Sequence, residues 1–400
     1  MILIIEKLIF FEHAVETLGY FSKQLAEAFG KLGYQTFFVD YHALERSMKL
    51  AGRFCRPRAT AVVTFNFIGL SGEDYCMEPD GRSFWEARNL PCFCIMVDHP
   101  LYYYKQLCKM HRNLTVFCVD RGHVAYMKRH FPQYLCYFLP LAGNRLLKEE
   151  AWIPYRKRKY GIAFIANYVS LPDIETHFRS QTQEYIDFYN EILADMRKNP
   201  THTLDATLER FILREEPSAT DAQLVSGQAG LLFLDLYIRT FYRELAVRSL
   251  VDSGLKVHVF GKGWENMQCA HPENLVMNQA FIDSESCVRV IRNTRLALNV
   301  MPWFKDGAHD RIFTAMLNGA VSLTDDSIYL REILRDGENT AFYHLENMTE
   351  LTEKAKLLLT EEDAAEAYTK EAYEYAVSEH TWEKRAGALD EMLRSVYSYG

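Results

Sequence analysis

The chain has 400 residues, of which 48% are hydrophobic and 24% are charged. At roughly 150 residues per domain this length suggests two or three domains, and the composition excludes disordered, collagen-like and low-complexity classes. The formal net charge of -8 argues against non-specific binding of nucleic acid or of an anionic membrane, because the whole molecule repels polyanions.

Cysteine use and the first residues bear on the cellular compartment. The nine cysteines include no Cys-x-x-Cys pair, and their odd number fits reduced thiols better than a disulfide framework. The apolar start, Met1 to Phe11, contains Glu6 and Lys7, so it predicts a strand and not a signal peptide. No apolar run reaches the ~18 residues that a transmembrane helix needs. We therefore expect a cytoplasmic protein with no transmembrane segment.

Short apolar runs recur through the N-terminal third and predict β-strands. These runs are Ile2–Ile5, Thr36–Val39, Ala61–Phe67, Cys92–Val97, Thr115–Val119 and Leu135–Leu139. Tyr20–Leu32 carries one apolar stripe at helical spacing, and Gly33 supplies a left-handed stop. Continuous apolar strands that alternate with helices indicate a parallel sheet covered on both faces. Residues 1–155 are therefore predicted to form a Rossmann-like domain.

A second α/β series follows the basic run at residues 156–159, which predicts a solvated linker. Its predicted strands are Tyr160–Ala166, Lys256–Phe260, Leu275–Asn278, Leu296–Met301 and Ala320–Thr324. Residues 156–380 would form a second Rossmann-like domain, with a helical insert at about 174–253. Residues 381–400 would form a last helix, anchored by Trp382, that returns to the first domain. The expected α/β architecture is two Rossmann-like domains facing one cleft, where ligands of such sheets bind.

The segment from Asp306 to Ala320 is the most informative in the chain. Apolar residues at helical spacing predict a helix that begins near His309 or Asp310 and stops at Gly319. The start of such a helix offers free amide hydrogens and a positive dipole end, both suited to phosphate. Two interpretations stay open: Asp310 is a plain helix cap with Arg311 on the surface, or the polar loop forms a ligand site. The crowding of an imidazole, two carboxylates and a guanidinium favours the site.

This segment is similar to the nucleotide-sugar-binding segment of GT-B glycosyltransferases, particularly the spore-maturation-type group with a "glycosyl transferases group 1" C-terminal domain. Phe241–Glu244 and Lys256–Trp264 also resemble that group, and the resemblance covers most of residues 160–393. It implies bacterial origin and metal-independent transfer of a sugar, of the hexosyltransferase type, from a nucleotide-diphosphate sugar to a glycan or protein acceptor. The donor is a substrate, so no cofactor and no metal ligand are expected.

The resemblance also implies roles for single residues. In related retaining enzymes two carboxylates lie eight positions apart, the first near the donor sugar and the second on the ribose. The matching positions are Asp306 and Thr314, so a hydroxyl replaces the second acid and the stereochemistry stays open. Asp306 and His309 would position the sugar, and the amides after Gly307 would hold the pyrophosphate. Phe281 and Ile282 would flank the base.

The glycine turn Gly261-Lys262-Gly263 follows a predicted strand and permits three interpretations. A Rossmann dinucleotide fingerprint is disfavoured, because Asn266 occupies the third glycine position and His271-Pro272 interrupts the required helix. In a glycosyltransferase the turn would bring the backbone near the nucleotide, and Lys262 would offset diphosphate charge. The remaining interpretation is a plain strand-to-loop turn.

Asp98-His99-Pro100 lies at the carboxyl end of a predicted strand and is followed by the aromatic run Leu101–Tyr104. Transfer to a hydroxyl requires removal of its proton, and a carboxylate or an imidazole is the natural base. Asp98 is the first candidate and His99 the second. Alternatively, Asp98 caps a turn and the tyrosines pack in a core.

Other chemistries lose support because their motifs are absent from the sequence. It contains no Asp-x-Asp, no phosphate-binding loop of the Gly-x-x-x-x-Gly-Lys type, no His-Glu-x-x-His and no Gly-x-Ser-x-Gly. Arg239, Arg243 and Arg248 share one predicted helix. Arg243 could reach phosphate, but three arginines on one amphipathic helix are more typical of a solvated face. A nucleotide-sugar epimerase of the same bilobal fold and a catalytically degenerate nucleotide-sugar-binding protein remain alternatives.

Overall fold

The structure, a computed structural model, describes residues 5–110, 113–146, 151–278 and 280–398. The chain folds into two compact units, one of residues 1–144 with 379–400 and the other of residues 145–378. No helix in the described ranges is both long enough and apolar enough to cross a lipid bilayer.

The first unit alternates strands and helices. In chain order its elements are β1 (Lys7–Glu12), α1 (Glu16–Lys31), β2 (Gln35–Asp40), α2 (Leu44–Phe54), β3 (Thr60–Phe65), α3 (Phe84–Ala87), β4 (Cys92–Met96), α4 (Tyr104–Leu107), β5 (Leu114–Cys118), α5 (Arg121–His130) and β6 (Leu135–Phe138). The strands form a six-stranded parallel sheet in the order β2-β1-β3-β4-β5-β6. Strands β3, β4 and β5 are buried along their whole length. The predicted parallel sheet is confirmed.

The first strand begins later than predicted. Ile2 to Ile4 lie outside the described residues, and Ile5 precedes β1. Lys7 is tolerated at the start of β1 because its ammonium donates to the carbonyl oxygen of Phe54 at 3.1 Å and lies 4.5 Å from that ring's centroid. The charge is thereby paired while the aliphatic stem covers apolar surface.

The second unit repeats the α/β pattern with a helical insert. Its elements are β7 (Tyr160–Ile165), α6 (Leu171–Arg179), α7 (Gln183–Lys198), α8 (Leu204–Glu215), α9 (Asp221–Gly230), α10 (Phe233–Asp252), β8 (Val257–Phe260), β9 (Leu275–Met277), α11 (Ser284–Arg292), β10 (Thr294–Asn299), α12 (Asp310–Leu317), β11 (Val321–Asp325), α13 (Ile328–Ile333), β12 (Ala341–Tyr343), α14 (Met348–Thr360) and α15 (Glu362–Glu379). The strand order is β12-β11-β10-β7-β8-β9, all parallel. The helical insert is confirmed. Sequence reasoning did not predict β12.

The last helix, α16 (Trp382–Ser398), is part of the first unit and packs on α1. The Trp382 ring contacts Phe21 and Phe65 at centroid distances of 5.4 and 6.0 Å, and its indole N–H donates to Asn144 Oδ1 at 3.0 Å. Arg385 donates to the carbonyl oxygens of Pro140 and Leu141. The predicted anchor is therefore buried and also satisfies its polar atom.

Arg158 corrects the prediction that the basic run at 156–159 is solvated throughout. Its side chain is buried and donates to the carbonyl oxygens of Asn318 at 3.0 Å and Thr294 at 3.2 Å. One of these carbonyls lies just past α12, where backbone acceptors lack intrahelical partners. Gly319 makes this approach possible: its φ is +70°, and a Cβ there would lie 2.4 Å from Arg158 Nη2.

Gly319→Ala should destabilise the second unit by at least about 3 kcal/mol, because left-handed strain adds to steric overlap in a packed region. Gly254→Ala is the matched control. It follows α10 with φ +90° and has open space within 4 Å of the position that a Cβ would occupy, so it should cost only about 1–2 kcal/mol. Urea unfolding midpoints measure the difference, and equal losses in the two variants would contradict the packing role of Gly319.

Candidate functional site

The start of α12 lies at the carboxyl edge of the second sheet. Strand β10 leads into residues 300–309, and α12 begins at Asp310, as the sequence predicted. The N-cap residue is His309, so the alternative in which Asp310 caps the helix is wrong. Two contacts tie this loop to the segment around the end of β11: the Met301 amide donates to Asp325 Oδ1 at 2.8 Å, and the Ser327 hydroxyl donates to the Gly307 carbonyl oxygen at 2.6 Å. The amides at the start of α12 are therefore held in place.

His309 and Asp310 form a close pair at this helix start. His309 Nδ1 lies 2.7 Å from Asp310 Oδ1 and 3.3 Å from the Arg311 amide nitrogen. Burial and the Arg311 charge lower the pKa of His309, so its ring is neutral at pH 7. Burial opposes ionisation of Asp310, but His309 and Arg311 bring its pKa below the ordinary value. The shorter contact places the ring proton on Nδ1, which leaves Nε2 as an acceptor.

Three arginines gather near this helix start. Arg311 lies in the first turn of α12, and Arg239 and Arg243 come from α10. The guanidinium carbons of the α10 pair lie 4.2 and 5.2 Å from the centroid of the Trp303 ring, which itself lies 6.2 Å from the His309 ring. The predicted solvated face is wrong for Arg239 and Arg243. Arg248, which pairs with Glu244 at 2.6 Å, fits that prediction.

The arginine cluster, formed by Arg239, Arg243 and Arg311, contains buried donors that no described protein atom accepts from. Within the described ranges, the Nε atom of Arg243 and the Nη1 atom of Arg311 are buried without a hydrogen-bond partner. Burial, together with the charges of Arg311 and Arg239, lowers the pKa of Arg243 to about 9. Arg239 pairs with Asp235 at 2.6 Å. Crowded guanidinium groups with unused donors are suited to a multivalent anion.

The glycine turn packs closely against the loop that follows β7. Gly261 and Gly263 have φ of +140° and +89°, and a Cβ at either would lie within 2.2 Å of the carbonyl oxygen of Ala166 or Tyr168. The Lys262 amide donates to Asn167 Oδ1 at 3.0 Å, and the Lys262 side chain is exposed. Backbone packing explains both glycines. A short 3₁₀ turn follows Gly263, so the dinucleotide fingerprint is excluded, whereas the nucleotide role of Lys262 stays a prediction.

The other residues predicted to contact the nucleotide sugar lie along the same edge of the sheet. Phe281 is 72% exposed and Ile282 is half-buried, in the loop between β9 and α11. Asp306 is half-buried, and Thr314 is buried within α12. Strand order places the turn after β8 and the loop after β9 on the side of β7 opposite β10. Their predicted contacts with base, ribose and sugar remain predictions.

In the first unit, Asp98 follows β4 and is held by two side chains. Its Oδ2 atom accepts from Asn66 Nδ2 at 3.0 Å and from the Tyr103 hydroxyl at 3.3 Å. Burial and the Asp98 charge raise the pKa of Tyr103, so this phenol keeps the proton it donates. Asn66 also accepts from the Val97 amide at 2.9 Å. The Asp98 carboxylate is thus positioned at the carboxyl edge of the first sheet.

His99 is placed differently from Asp98. It is buried, its Nδ1 atom accepts from the Leu101 amide at 3.2 Å, and its ring packs on His123 and Tyr126 at 4.5 and 4.9 Å. These contacts make His99 a cap of the 3₁₀ turn that begins at Pro100. Of the two predicted bases, Asp98 is the more exposed.

Sequence reasoning missed Trp303, the inward orientation of Arg239, and Asn66, and for Arg243 it favoured a solvated face over a phosphate contact. The i, i+4 spacing of the two arginines was visible, but the same spacing is typical of a solvated helix face. Their burial depends on Trp303, about sixty positions along the chain, and no local signal reports that contact. Asn66 was not recognisable because its partner Asp98 follows a neighbouring strand.

Comparisons with known proteins agree with this architecture. Residues 239–391 match a family model described as glycosyl transferase-like. No curated protein sequence matches the chain. Similar solved structures include an α-glucosyltransferase in complex with UDP and DNA (9% identity, TM-score 0.55, 96% of this chain and 98% of that one). HepE from Anabaena (9%, 0.52, 97% and 99%) and sucrose-phosphate synthase from Thermosynechococcus elongatus (11%, 0.51, 99% and 100%) are also similar.

The chain has the GT-B fold. The predicted fold class is thereby confirmed, and the low identities establish the fold alone. The glycosyl transferase-like segment of this GT-B chain begins at Arg239 and contains the arginine cluster, the glycine turn, Phe281 and the start of α12. The arginine cluster therefore lies within the segment that the family model matches.

Asp325, which holds the loop after β10 through the Met301 amide, should make the stability of the second unit depend on pH. Burial raises the pKa of Asp325 to about 7, from about 3.9 in an unfolded chain. Because the folded chain favours the protonated carboxyl, the contribution of Asp325 to the free energy of unfolding is fully present below pH ~4. It is lost as the pH rises through about 7. Asp325→Asn should therefore stabilise the second unit at pH 8, by roughly 4 kcal/mol at most, and change little at pH 4.

The matched control is Asp326→Asn, at a neighbouring carboxylate that pairs with Arg331. Urea unfolding followed at pH 4, 6 and 8 separates the two variants. A pH profile of Asp325→Asn parallel to that of the wild type would show that Asp325 has the same pKa in the folded and the unfolded chain.

Proposed function

We propose that this protein is a metal-independent glycosyltransferase that moves a sugar from a nucleotide-diphosphate sugar to a hydroxyl group of a glycan or protein. The second unit binds the donor and the first unit binds the acceptor. The observation that carries the proposal is the arginine cluster at the start of α12. There, buried donors of Arg243 and Arg311 lack protein acceptors in the described part of the chain. A diphosphate supplies the acceptors and the negative charge that this cluster requires.

Sugar transfer places the greatest electrostatic demand on the leaving group. As the bond between sugar and phosphate breaks, negative charge develops on the diphosphate and the sugar gains oxocarbenium character. Guanidinium groups and helix amides that are already oriented stabilise that charge without reorganisation. In this proposal the arginines and the α12 amides do the work that a divalent cation does in other transferases.

The sugar end of the donor would meet the polar residues of the same loop. His309 is neutral, so its Nε2 atom accepts a hydrogen bond from a sugar hydroxyl without adding positive charge beside the oxocarbenium. Asp306 lies on the loop before α12 and would orient the sugar. The amides after Gly307 would hold the pyrophosphate.

The acceptor hydroxyl requires a base, and Asp98 is the residue that we assign to that role for an inverting reaction. Asn66 and Tyr103 both donate to Oδ2, and these two bonds fix the orientation of the carboxylate. A carboxylate held in this way accepts a proton in a fixed direction. A retaining reaction would instead rely on the donor phosphate as base.

Two of the similar structures guide the choice of nucleotide. HepE is described with UDP and glucose, and the α-glucosyltransferase with UDP and DNA. UDP-sugars are therefore the first donors to test. The exposed Phe281 ring provides a stacking surface that accepts any base, so the panel includes GDP-, CDP- and dTDP-sugars.

The decisive experiment is a donor panel followed by thermal shift and by nucleotide release, with and without EDTA. We expect one nucleotide class to raise the melting temperature and to be released in step with glycoside formation, unaffected by EDTA. Loss of turnover in EDTA would contradict metal independence. Donor conversion without an acceptor would indicate an epimerase, and binding without any turnover would indicate a degenerate binding protein.

Arg243→Met should weaken nucleotide-diphosphate binding about ten- to hundred-fold, since a charge-assisted hydrogen bond to phosphate is lost. The ligand-free melting temperature should stay the same or rise, because the change removes a buried guanidinium with an unused donor. Isothermal titration with UDP and the other diphosphates measures the first effect, and calorimetric melting measures the second. For the second buried arginine, Arg311→Ala should abolish sugar transfer and leave the melting temperature nearly unchanged.

Arg248→Met on the same helix is the matched control, because Arg248 pairs with Glu244 away from the cluster. It should change neither binding nor turnover. If Arg243→Met lowered the melting temperature and left diphosphate binding intact, the arginine would be structural and the donor site would lie elsewhere.

Asp98→Asn should reduce transfer by about 10²- to 10⁴-fold, the usual contribution of a general base, while donor binding and melting stay near wild type. The amide keeps the size of the side chain and can still accept from Asn66 and Tyr103. Tyr103→Phe is the control, because it removes one hydrogen bond but leaves the carboxylate. Near-normal turnover of Asp98→Asn would remove Asp98 from the reaction.

A further inference from the structure

Two imidazoles and a carboxylate meet at the carboxyl edge of the first sheet, and none of the three has a role in the function proposed above. His13 directly follows β1, Asp40 ends β2, and His42 lies two positions later. In the parallel pair β1 and β2, Glu12 is opposite Asp40, so the two following loops are neighbours. One ligand atom from each of His13, Asp40 and His42 lies within 4.8 Å of the other two.

Two hydrogen bonds orient the Asp40 carboxylate. Asp40 Oδ1 lies 2.7 Å from His13 Nδ1 and accepts the His42 amide hydrogen at 2.9 Å. The hydrogen bonds from the His13 side chain and the His42 backbone lower the pKa of Asp40. Nearby, Glu12 lies 3.8 Å from His13 Nε2 and pairs with Lys23 at 3.0 Å. Besides the imidazoles, the group therefore contains two carboxylates and one ammonium, and this net negative charge favours a cation.

The two rings are held together at a conformational cost. They stack face to face, with centroids 4.3 Å apart and planes 7° from parallel. His13 has a φ of +64°, in the left-handed region that costs a residue with a side chain about 1–2 kcal/mol. Two protonated rings in this arrangement would repel each other. The chain thus tolerates strain to place two imidazoles beside one carboxylate, an outlier of the kind that clusters at functional sites.

We propose that His13, Asp40 and His42 bind one divalent transition-metal ion of the Zn²⁺ or Co²⁺ type. Two nitrogen ligands and one oxygen ligand suit these borderline ions, whereas Mg²⁺ and Ca²⁺ prefer oxygen alone. Parallel rings direct their lone pairs along parallel lines, so one ring turns when the ion binds. The side chain of His13 is 37% exposed and His42 is exposed, so that rotation is unhindered. Three protein ligands leave a coordination position for water or a small ligand.

The alternative is an ordinary surface ion pair between a protonated His13 and Asp40. The chain contains a matched example of such a pair: His344 Nδ1 lies 2.7 Å from Glu350 Oε2, with Asp326 at 4.0 Å, and no second imidazole of the described residues joins that group. If a histidine beside carboxylates were enough to bind metal, His344 would do so too. The second imidazole is therefore the feature that the experiment isolates.

The test is titration of the metal-free full chain with Co²⁺ at pH 8, followed by visible absorption. The absorption spectrum of bound Co²⁺ shows which atoms coordinate it, because thiolate ligands add intense near-ultraviolet bands. This control matters because the Sγ atoms of Cys118 and Cys136 lie 3.6 Å apart. We expect one Co²⁺ per chain without thiolate bands, displaced by Zn²⁺. His42→Ala and Asp40→Asn should each weaken binding at least ten-fold, and His344→Ala should leave it unchanged.

Equal Co²⁺ affinity in wild type and His42→Ala, or a spectrum dominated by thiolate bands, would overturn the proposal. Because both histidines are accessible, His42→Ala should melt like the wild type without metal. In the presence of Zn²⁺ only the wild type and His344→Ala should melt at a higher temperature. Binding is the readout, so the result is independent of the donor, the acceptor and turnover.

Discussion

The second unit is organised around the burial of guanidinium charge. Removing a positive charge from water is costly unless hydrogen-bond acceptors and negative charge replace the lost hydration. Arg239 has Asp235 as such a partner, whereas Arg243 has buried Nε hydrogen-bonding capacity that the described protein atoms do not use. The lowered pKa of Arg243 expresses that cost. In the proposed complex a diphosphate would lower that cost, so residues that weaken the free protein would strengthen the bound form.

The arginine cluster and its surroundings are assembled from distant parts of the chain. Helix α10 closes the insert and contributes Arg239 and Arg243, the loop after β10 contributes Trp303, and α12 contributes Arg311 and its amides. The Trp303 ring faces both α10 guanidiniums and stabilises them through its π-electrons, at no cost in net charge. Asp325 then holds the Trp303 loop through the Met301 amide. The positive charge of α10 and α12, the Trp303 ring and the Asp325 carboxylate therefore come from four separate segments of the chain.

Much of the fold could be predicted because its signals are local. Buried parallel strands such as β4 appear in the sequence as continuous apolar runs, and Gly319 has the left-handed φ that a helix stop requires. The start of α12 followed from the same local rules. The arginine cluster and the His13, Asp40 and His42 group could not be predicted, because both depend on contacts between separate elements. A helix carrying three arginines usually faces water, and only the position of Trp303 reverses that expectation for two of them.

In the proposed function, affinity for the sugar donor and specificity for its base depend on different groups. Every nucleotide-diphosphate sugar carries the same diphosphate, so Arg243, Arg311 and the α12 amides contribute equally to all of them. Discrimination among bases then falls to groups outside the cluster, of which Phe281 is a candidate with a base-tolerant stacking surface. Stacking favours no base strongly, so hydrogen bonds to the base edge must supply the selectivity. The loop between β9 and α11, where Phe281 and Ile282 lie, is where we expect donor preference to be decided.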